Sequence, residues 1–337
     1  MSRQPALLAE ATRTVDAGRD VVASSSGRDL VASSSGRHLV ESRHHGHLVV
    51  VGADGEVLHA LGDPDRITFV RSTAKPFQAT ACLELLDVSG PALGADEVAV
   101  AWASHRAEPI HLAAVRALLA RSGRTPDELT CPPSVGEHDP GAGPARITSD
   151  CSGKHALFAL TGAQQGTPRD RLLDPDGPLQ REVLATLADV IGPVEAVGTD
   201  GCGAPAVAVP LRGLARGFAA VATQERFRRV REAGFAHPAL VGGSGRLESV
   251  LLGEGVVAKS GAEGVFAAGW TAPDGSPRGL AVKAEDGAGR AVTVAAFAVL
   301  VAAGQVASDR WAPVPVLGGG LPAGEVRASE VVRSLLA

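Results

Sequence analysis

The sequence predicts an α+β fold: an antiparallel sheet flanked by helices, with a largely helical region between the sheet-forming ends. Three observations carry this. Apolar runs flank Gly52-Ala53-Asp54-Gly55 in LVVVGADGEVLHAL, which is a hairpin signal. Residues 253–269, GEGVVAKSGAEGVFAAG, read as strand, turn, strand with Lys259 and Ser260 at the turn, and GLAVKAEDG at 279–287 alternates as a further strand. Over about 85–240 the apolar spacing is helical instead. Adjacent strands followed by a helix build an antiparallel sheet covered by helices.

Residues 1–38 are polar and carry a direct repeat, VASSSGR at 22–28 and again at 31–37. Two copies nine residues apart are too short to build a solenoid. A flexible N-terminal extension is expected there, since chain ends carry little structure, with the catalytic domain over 39–337. After the hairpin, LGDPDRITF gives a turn and short strand leading to Ser72. Helical patterns follow at 95–103, 110–119, 153–160, 211–223 and 226–233, with a further cap-and-proline start at Thr125-Pro126. The uncharged stretch 291–308 reaches the lower limit of about 18 residues for a membrane span, but its alanines, Thr293, Gly304, Gln305 and Ser308 favour a buried helix.

Composition bounds the function. The 337 residues are 45% hydrophobic, enough for a sizeable core. A net charge of -5 with no basic run, and only 3% aromatics, give no nucleic-acid face. Tyrosine is absent and so supplies no catalytic base. Four cysteines in a chain this long make no disulfide framework. With no signal-peptide pattern, a cytoplasmic protein is the expectation, without membrane or nucleic-acid partners.

The chemistry centres on VRSTAKPFQATACLEL, residues 70–85, where Ser72 stands three residues before Lys75 at the entrance to an apolar helical pattern. Three residues is about one turn, so the hydroxyl and the amine share a face. Pro76 is tolerated only in a first helical turn, which sets the helix start near Ser72. A serine is a poor nucleophile and a lysine is protonated at neutral pH, so the pair works only if burial or another cation lowers the lysine. A plain cap followed by a surface lysine is the competing reading of S-x-x-K.

Other segments offer partners. AWASHRAEP holds Ser104, His105, Arg106 and Glu108, either a helix cap or a pocket wall. DCSGKHALF carries Asp150, Cys151, Lys154 and His155, and its GK pair lacks the upstream glycine of a phosphate loop. VGTDGCGAP places Asp200 and Cys202 in a glycine-flanked turn. As thiolates, Cys151 and Cys202 are two soft zinc ligands, but two ligands do not make a site and two buried free thiols are an equal reading. Ser72-x-x-Lys75, Ser104 and Lys259-Ser260-Gly261 are the pieces of the serine acylase layout of class A β-lactamases and penicillin-binding proteins, without the S-D-N element. Acyl transfer through an acyl-enzyme is the indicated reaction.

The joint occurrence of RSTAKPFQA, WASHRAEP, DCSGKHA, GTDGCGAP and KSGAEG, in order over roughly 39–335, resembles the asparaginase II family of the Rhizobium etli type. The resemblance implies a β-lactamase/glutaminase-like fold, a homodimer, and hydrolysis of L-asparagine to L-aspartate and ammonia. It places the nucleophile and its lysine on Ser72 and Lys75, and a second pair on Ser104 and Lys259. It implies a pocket arginine at Arg71, zinc ligands at Cys151, Lys154 and Cys202, and pocket neighbours at His155 and Asp200. Some members carry another cysteine near residues 241–249, where this chain has Ser244 and Ser249. In the expected mechanism a neutral Lys75 takes the Ser72 proton while Ser104 and Lys259 relay a proton to the leaving amine. A glutaminase or other small-amide hydrolase, and a non-catalytic zinc-binding protein, are the alternatives.

Overall fold

The computed structural model describes residues 3–15, 37–86, 92–313 and 315–336. Its frame is one antiparallel sheet whose strands lie in the order Val316–Gly318, Leu321–Ala328, Ala6–Val15, Arg37–Val51, Pro277–Ala284, Val265–Thr271, Val257–Gly261. Val57–Leu61 pairs with Arg37–Val51 off this path. The two ends of the chain thus supply the sheet, and the middle supplies the helices.

Ala6–Val15 corrects the expected flexible extension over 1–38. It pairs with Arg37–Val51 on one side and Leu321–Ala328 on the other, so it is interior to the sheet. Its buried positions include Leu8, Ala9 and Ala11, and alanines interleaved with Glu10 and Thr12 are too small to announce a buried face in sequence. The VASSSGR repeat lies outside the described residues, apart from its final Arg37.

A second correction concerns Lys259 and Ser260. Both lie inside Val257–Gly261, opposite Ala267 and Phe266, and the turn falls one step later at Glu263 and Gly264. Those two residues have φ of 61° and 62°, the left-handed backbone that a tight reversal needs.

Side chains alternate between two cores, as strand geometry requires. Val49, Val51, Ala267 and Ala281 face the helical region, while Leu48, Val50, Phe266 and Val282 face the helix Gly289–Ala302. This last helix is the uncharged stretch read as buried. Among the described residues, no helix is long and apolar enough to cross a membrane.

Leu211–Thr223 lies against the other face of the sheet and is seated by two glycines paired across neighbouring strands, Gly269 and Gly279. A Cβ at Gly269 would sit 1.9 Å from the Phe218 carbonyl oxygen, and one at Gly279 1.9 Å from that of Ala215. Helix and sheet backbones touch because neither strand carries a side chain there.

Phe218 on this helix meets Phe77 edge-on at 5.8 Å, and Phe227 meets the other side of the same ring at 5.7 Å. Phe77 belongs to Lys75–Leu85, which is buried at every position from Lys75 to Leu83. A helix buried all round is a core helix. The helices Ala95–Ala101, Pro109–Ala120, Ser152–Gln164 and Arg228–Ala236 match expected segments, and Pro178–Ile191 is a further one. At Thr125 the expected helix is a single 3-10 turn, Pro126–Glu128, closed by a capping box.

The glycine seat gives a stability test. Gly269→Ala and Gly279→Ala each force backbone apart and should destabilise by about 1–3 kcal/mol, read as a lower thermal midpoint. Gly253→Ala, where a Cβ meets nothing within 4 Å, serves as the control. Equal midpoints for all three would contradict the close approach.

Candidate active site

The helix carrying the S-x-x-K pair starts where the sequence placed it. A 3-10 turn, Arg71–Ala74, runs into Lys75–Leu85 with Pro76 in the first helical turn. Arg71 has φ 50°, a strained backbone for a residue with a Cβ. Its Nε donates to Asp200 Oδ1 at 2.9 Å, so the expected pocket residues Arg71 and Asp200 form an ion pair that anchors the turn just before Ser72. The strand Val257–Gly261 passes close beside it. A Cβ at Gly261 would lie 3.0 Å from the Val70 carbonyl oxygen and 3.4 Å from the Ser72 nitrogen.

Lys75 is fully enclosed. Its Nζ donates to the Ala103 carbonyl at 2.7 Å, to Ser104 Oγ at 2.9 Å and to the Asp150 carbonyl at 3.4 Å. Three acceptors match the three protons of an ammonium, and the Asp150 carboxylate stands 3.6 Å away. Burial lowers the Lys75 pKa, but Cys151, Asp150 and Cys202 more than offset it and leave it raised. Burial alone would raise Asp150, and the Lys75 charge holds it low instead.

Lys259 behaves oppositely. Burial, followed by repulsion from Lys75, pushes it down to about 8, and its Nζ donates to the Ser260 carbonyl at 3.1 Å. Of the two lysines expected to act, Lys259 is the one held below its ordinary range and Lys75 the one held above it. Lys75 also binds the second serine, Ser104, and not Ser72, whose Oγ has no hydrogen-bond partner among the described residues. Instead of two separate Ser-Lys pairs, the structure brings together one cluster in which two lysines share a field.

Ser72 and Ser104 open onto a cavity of about 660 Å³, whose wall also includes Asp150, Glu248, Ser260 and Gly261. Glu137 closes part of the rim by bridging Arg106 at 2.9 Å and Arg246 at 2.7 Å. Glu248 had no sequence signal, because nothing in GRLES ties it by spacing to a serine or lysine. Asp150 stood in a recognisable motif but had no assigned role.

The expected metal ligands converge behind this wall. Lys154 Nζ lies 3.1 Å from Cys202 Sγ. A hydrogen bond between the two thiols, followed by burial, pushes Cys151 well up, and the same hydrogen bond from Cys151 pushes Cys202 down. The Cys202 sulfur thus has the Cys151 thiol and the Lys154 Nζ as its neighbours. His155 accompanies them: its Nδ1 meets Thr130 Oγ1 at 2.6 Å, its Nε2 has no hydrogen-bond partner in the described residues, and burial lowers its pKa to about 4, leaving it neutral. Two soft sulfurs suit zinc, and His155 faces one of them, Cys202. No three His, Cys, Asp or Glu side chains among the described residues are placed to hold a metal ion, so such a site needs the Lys154 amine as third donor.

The L-asparaginase II family model matches residues 34–328. Among solved structures, Mglu in its glutamate form is 17% identical with a TM-score of 0.36, covering 78% of this chain and 62% of its own. A second Mglu structure is 16% identical with a TM-score of 0.36, over 78% and 68%, and its native form is 18% identical with a TM-score of 0.32, over 74% and 62%. The chain thus spans about three fifths of the length of the first of these, and likeness at this level carries no argument about substrate. No curated protein matches the chain. The family match runs over most of the sequence and takes in Ser72, Lys75, Ser104, Cys151, Cys202 and Lys259. The chain belongs to the L-asparaginase II family.

Proposed function

We propose that this protein hydrolyses L-asparagine to L-aspartate and ammonia through an acyl-enzyme on Ser72. The observation that carries the reading is the cluster itself: an unpartnered serine hydroxyl in a cavity wall, beside a second serine bound at 2.9 Å to a buried lysine, with another buried lysine held down to about 8. Among residue types, this is the equipment for activating an oxygen nucleophile without a histidine.

The two lysines divide the proton work. Above the pKa of Lys259 the pair holds one ammonium and one amine, since like charges in a dry site disfavour double protonation. The amine accepts the Ser72 proton as Oγ attacks the side-chain amide carbon. The Lys75 ammonium donates to Ser104 Oγ, and the Ser104 O–H passes its proton to the departing nitrogen, so ammonia leaves. The Ser72 N–H, beside Gly261 where no side chain intervenes, stabilises the developing oxyanion. Water then cleaves the aspartyl ester by the reverse proton path. Zinc held by Cys151, Lys154 and Cys202 would supply positive charge beside the lysine cluster, favouring the state in which only one of the two lysines is protonated. L-Glutamine is the second reading, favoured by a cavity of about 660 Å³, roomy for asparagine alone.

Four measurements test this. Ammonia release from L-asparagine by wild type should fall by at least about 10³-fold in Ser72→Ala, as for loss of a nucleophile; equal rates would remove Ser72 from that role. Side-by-side rates on asparagine and glutamine set the order of preference. Because a lysine must be neutral, kcat/KM should rise with pH through about 8, and a flat profile there would contradict the assignment of the amine. Elemental analysis of dialysed protein should find zinc that is lost in Cys202→Ser; metal-free, folded wild type would remove zinc from the account.

A further inference from the structure

The cavity wall holds a buried carboxyl group with one oxygen left unbonded. Glu248 stands in the first turn of Leu247–Gly253 and is 5% exposed, yet it forms no ion pair among the described residues. Its Oε1 accepts from the Ser260 hydroxyl and, at 3.3 Å, from the Ser260 amide. Its Oε2 has no hydrogen-bond partner among the described residues. Lys259 on the neighbouring strand interacts with Glu248 through space but gives its hydrogen bond to the Ser260 carbonyl and forms no ion pair with the carboxyl group. A buried carboxyl oxygen without a hydrogen-bond partner is unfavourable, and a ligand that donates to it relieves that cost.

Glu248 shares its wall with Ser72, Ser104 and Ser260. A cation bound at Oε2 therefore lies in the same cavity as the nucleophile. Arg71, by contrast, is spent on Asp200. Resting on the amidase reading above, we propose that Glu248 is the specificity-determining residue that receives the α-ammonium of an α-amino-acid amide, while the side-chain amide of that substrate is presented to Ser72. Ser260 orients the carboxylate by its two donated hydrogen bonds, leaving Oε2 for the ligand. The site selects amides that carry an amino group over amides of the same length that lack it.

A purely structural role for Glu248, tying its helix to the strand at Ser260, is separable because glutamine still accepts from Ser260 but carries no charge. The experiment uses Ser72→Ala, which binds without turnover, and Ser72→Ala/Glu248→Gln. Each is titrated calorimetrically with L-asparagine and L-glutamine, and with succinamate and glutaramate, the same amides without the amino group. Glu248→Gln should weaken binding of the better amino acid about 10- to 100-fold, the size of a charged hydrogen bond, and should leave its des-amino partner at its former affinity. Equal affinity for the amino acid with and without the charge overturns the proposal. So does an equal loss for both members of a pair, which makes Glu248 a support for the strand, and so does failure of both amino acids to bind Ser72→Ala. Ammonia release by wild type is scored separately: selective binding through Glu248 with no ammonia leaves this inference standing and removes the amidase reading.

Discussion

The structure around the site depends on the satisfaction of one buried cation. Lys75 is carried into the interior by a helix with no exposed face along most of its length, and a charge there must find acceptors for every proton. It finds them on two segments distant in sequence: Ala103 and Ser104 after the helix Ala95–Ala101, and Asp150 before Ser152–Gln164. The ends of three helices are thus drawn to one point. Ser104 and Asp150 reach the cavity because Lys75 needs them, and Cys151 follows because it is next in the chain.

Strain and close approach do the remaining positioning. Arg71 in a left-handed conformation aims the turn at Ser72, and the Asp200 ion pair holds it there. The strand bearing Lys259 can pass beside that turn only because Gly261 has no side chain. On the other side of the same core, Gly269 and Gly279 let Leu211–Thr223 rest on the sheet, and Phe218 carries that contact through to Phe77 on the Ser72 helix. Sheet, central helix and the Ser72 turn therefore form one packed unit, and packed units of this kind yield little to local change.

Features set by local rules were legible in the sequence. The hairpin at Gly52 to Gly55, the helix start at Pro76 and the burial of the helix ending at Ala302 follow from turn chemistry, proline and unbroken apolarity. Ser72, Lys75, Ser104 and Lys259 could be named because spacing and motif order mark them. What depends on tertiary contact was not legible. Ala6–Val15 is a strand because two neighbours pair with it, although its alanines announce nothing. Lys259 falls to about 8 through burial and through Lys75, whereas Lys75 rises through acids and thiols that meet it only in three dimensions. Glu248 becomes noticeable only once it is seen to be buried in the wall of the cavity that Ser72 lines.

The central claim is that Ser72 Oγ is the attacking atom of a lysine-activated site. The most direct measurement is covalent trapping with a diazoketone analogue of L-asparagine, followed by proteolysis and mass spectrometry to locate the adduct. Ser72 should be modified, with labelling suppressed by excess L-asparagine and abolished by Lys259→Met in folded protein. Modification of Ser104 or Cys202 with Ser72 untouched would contradict it.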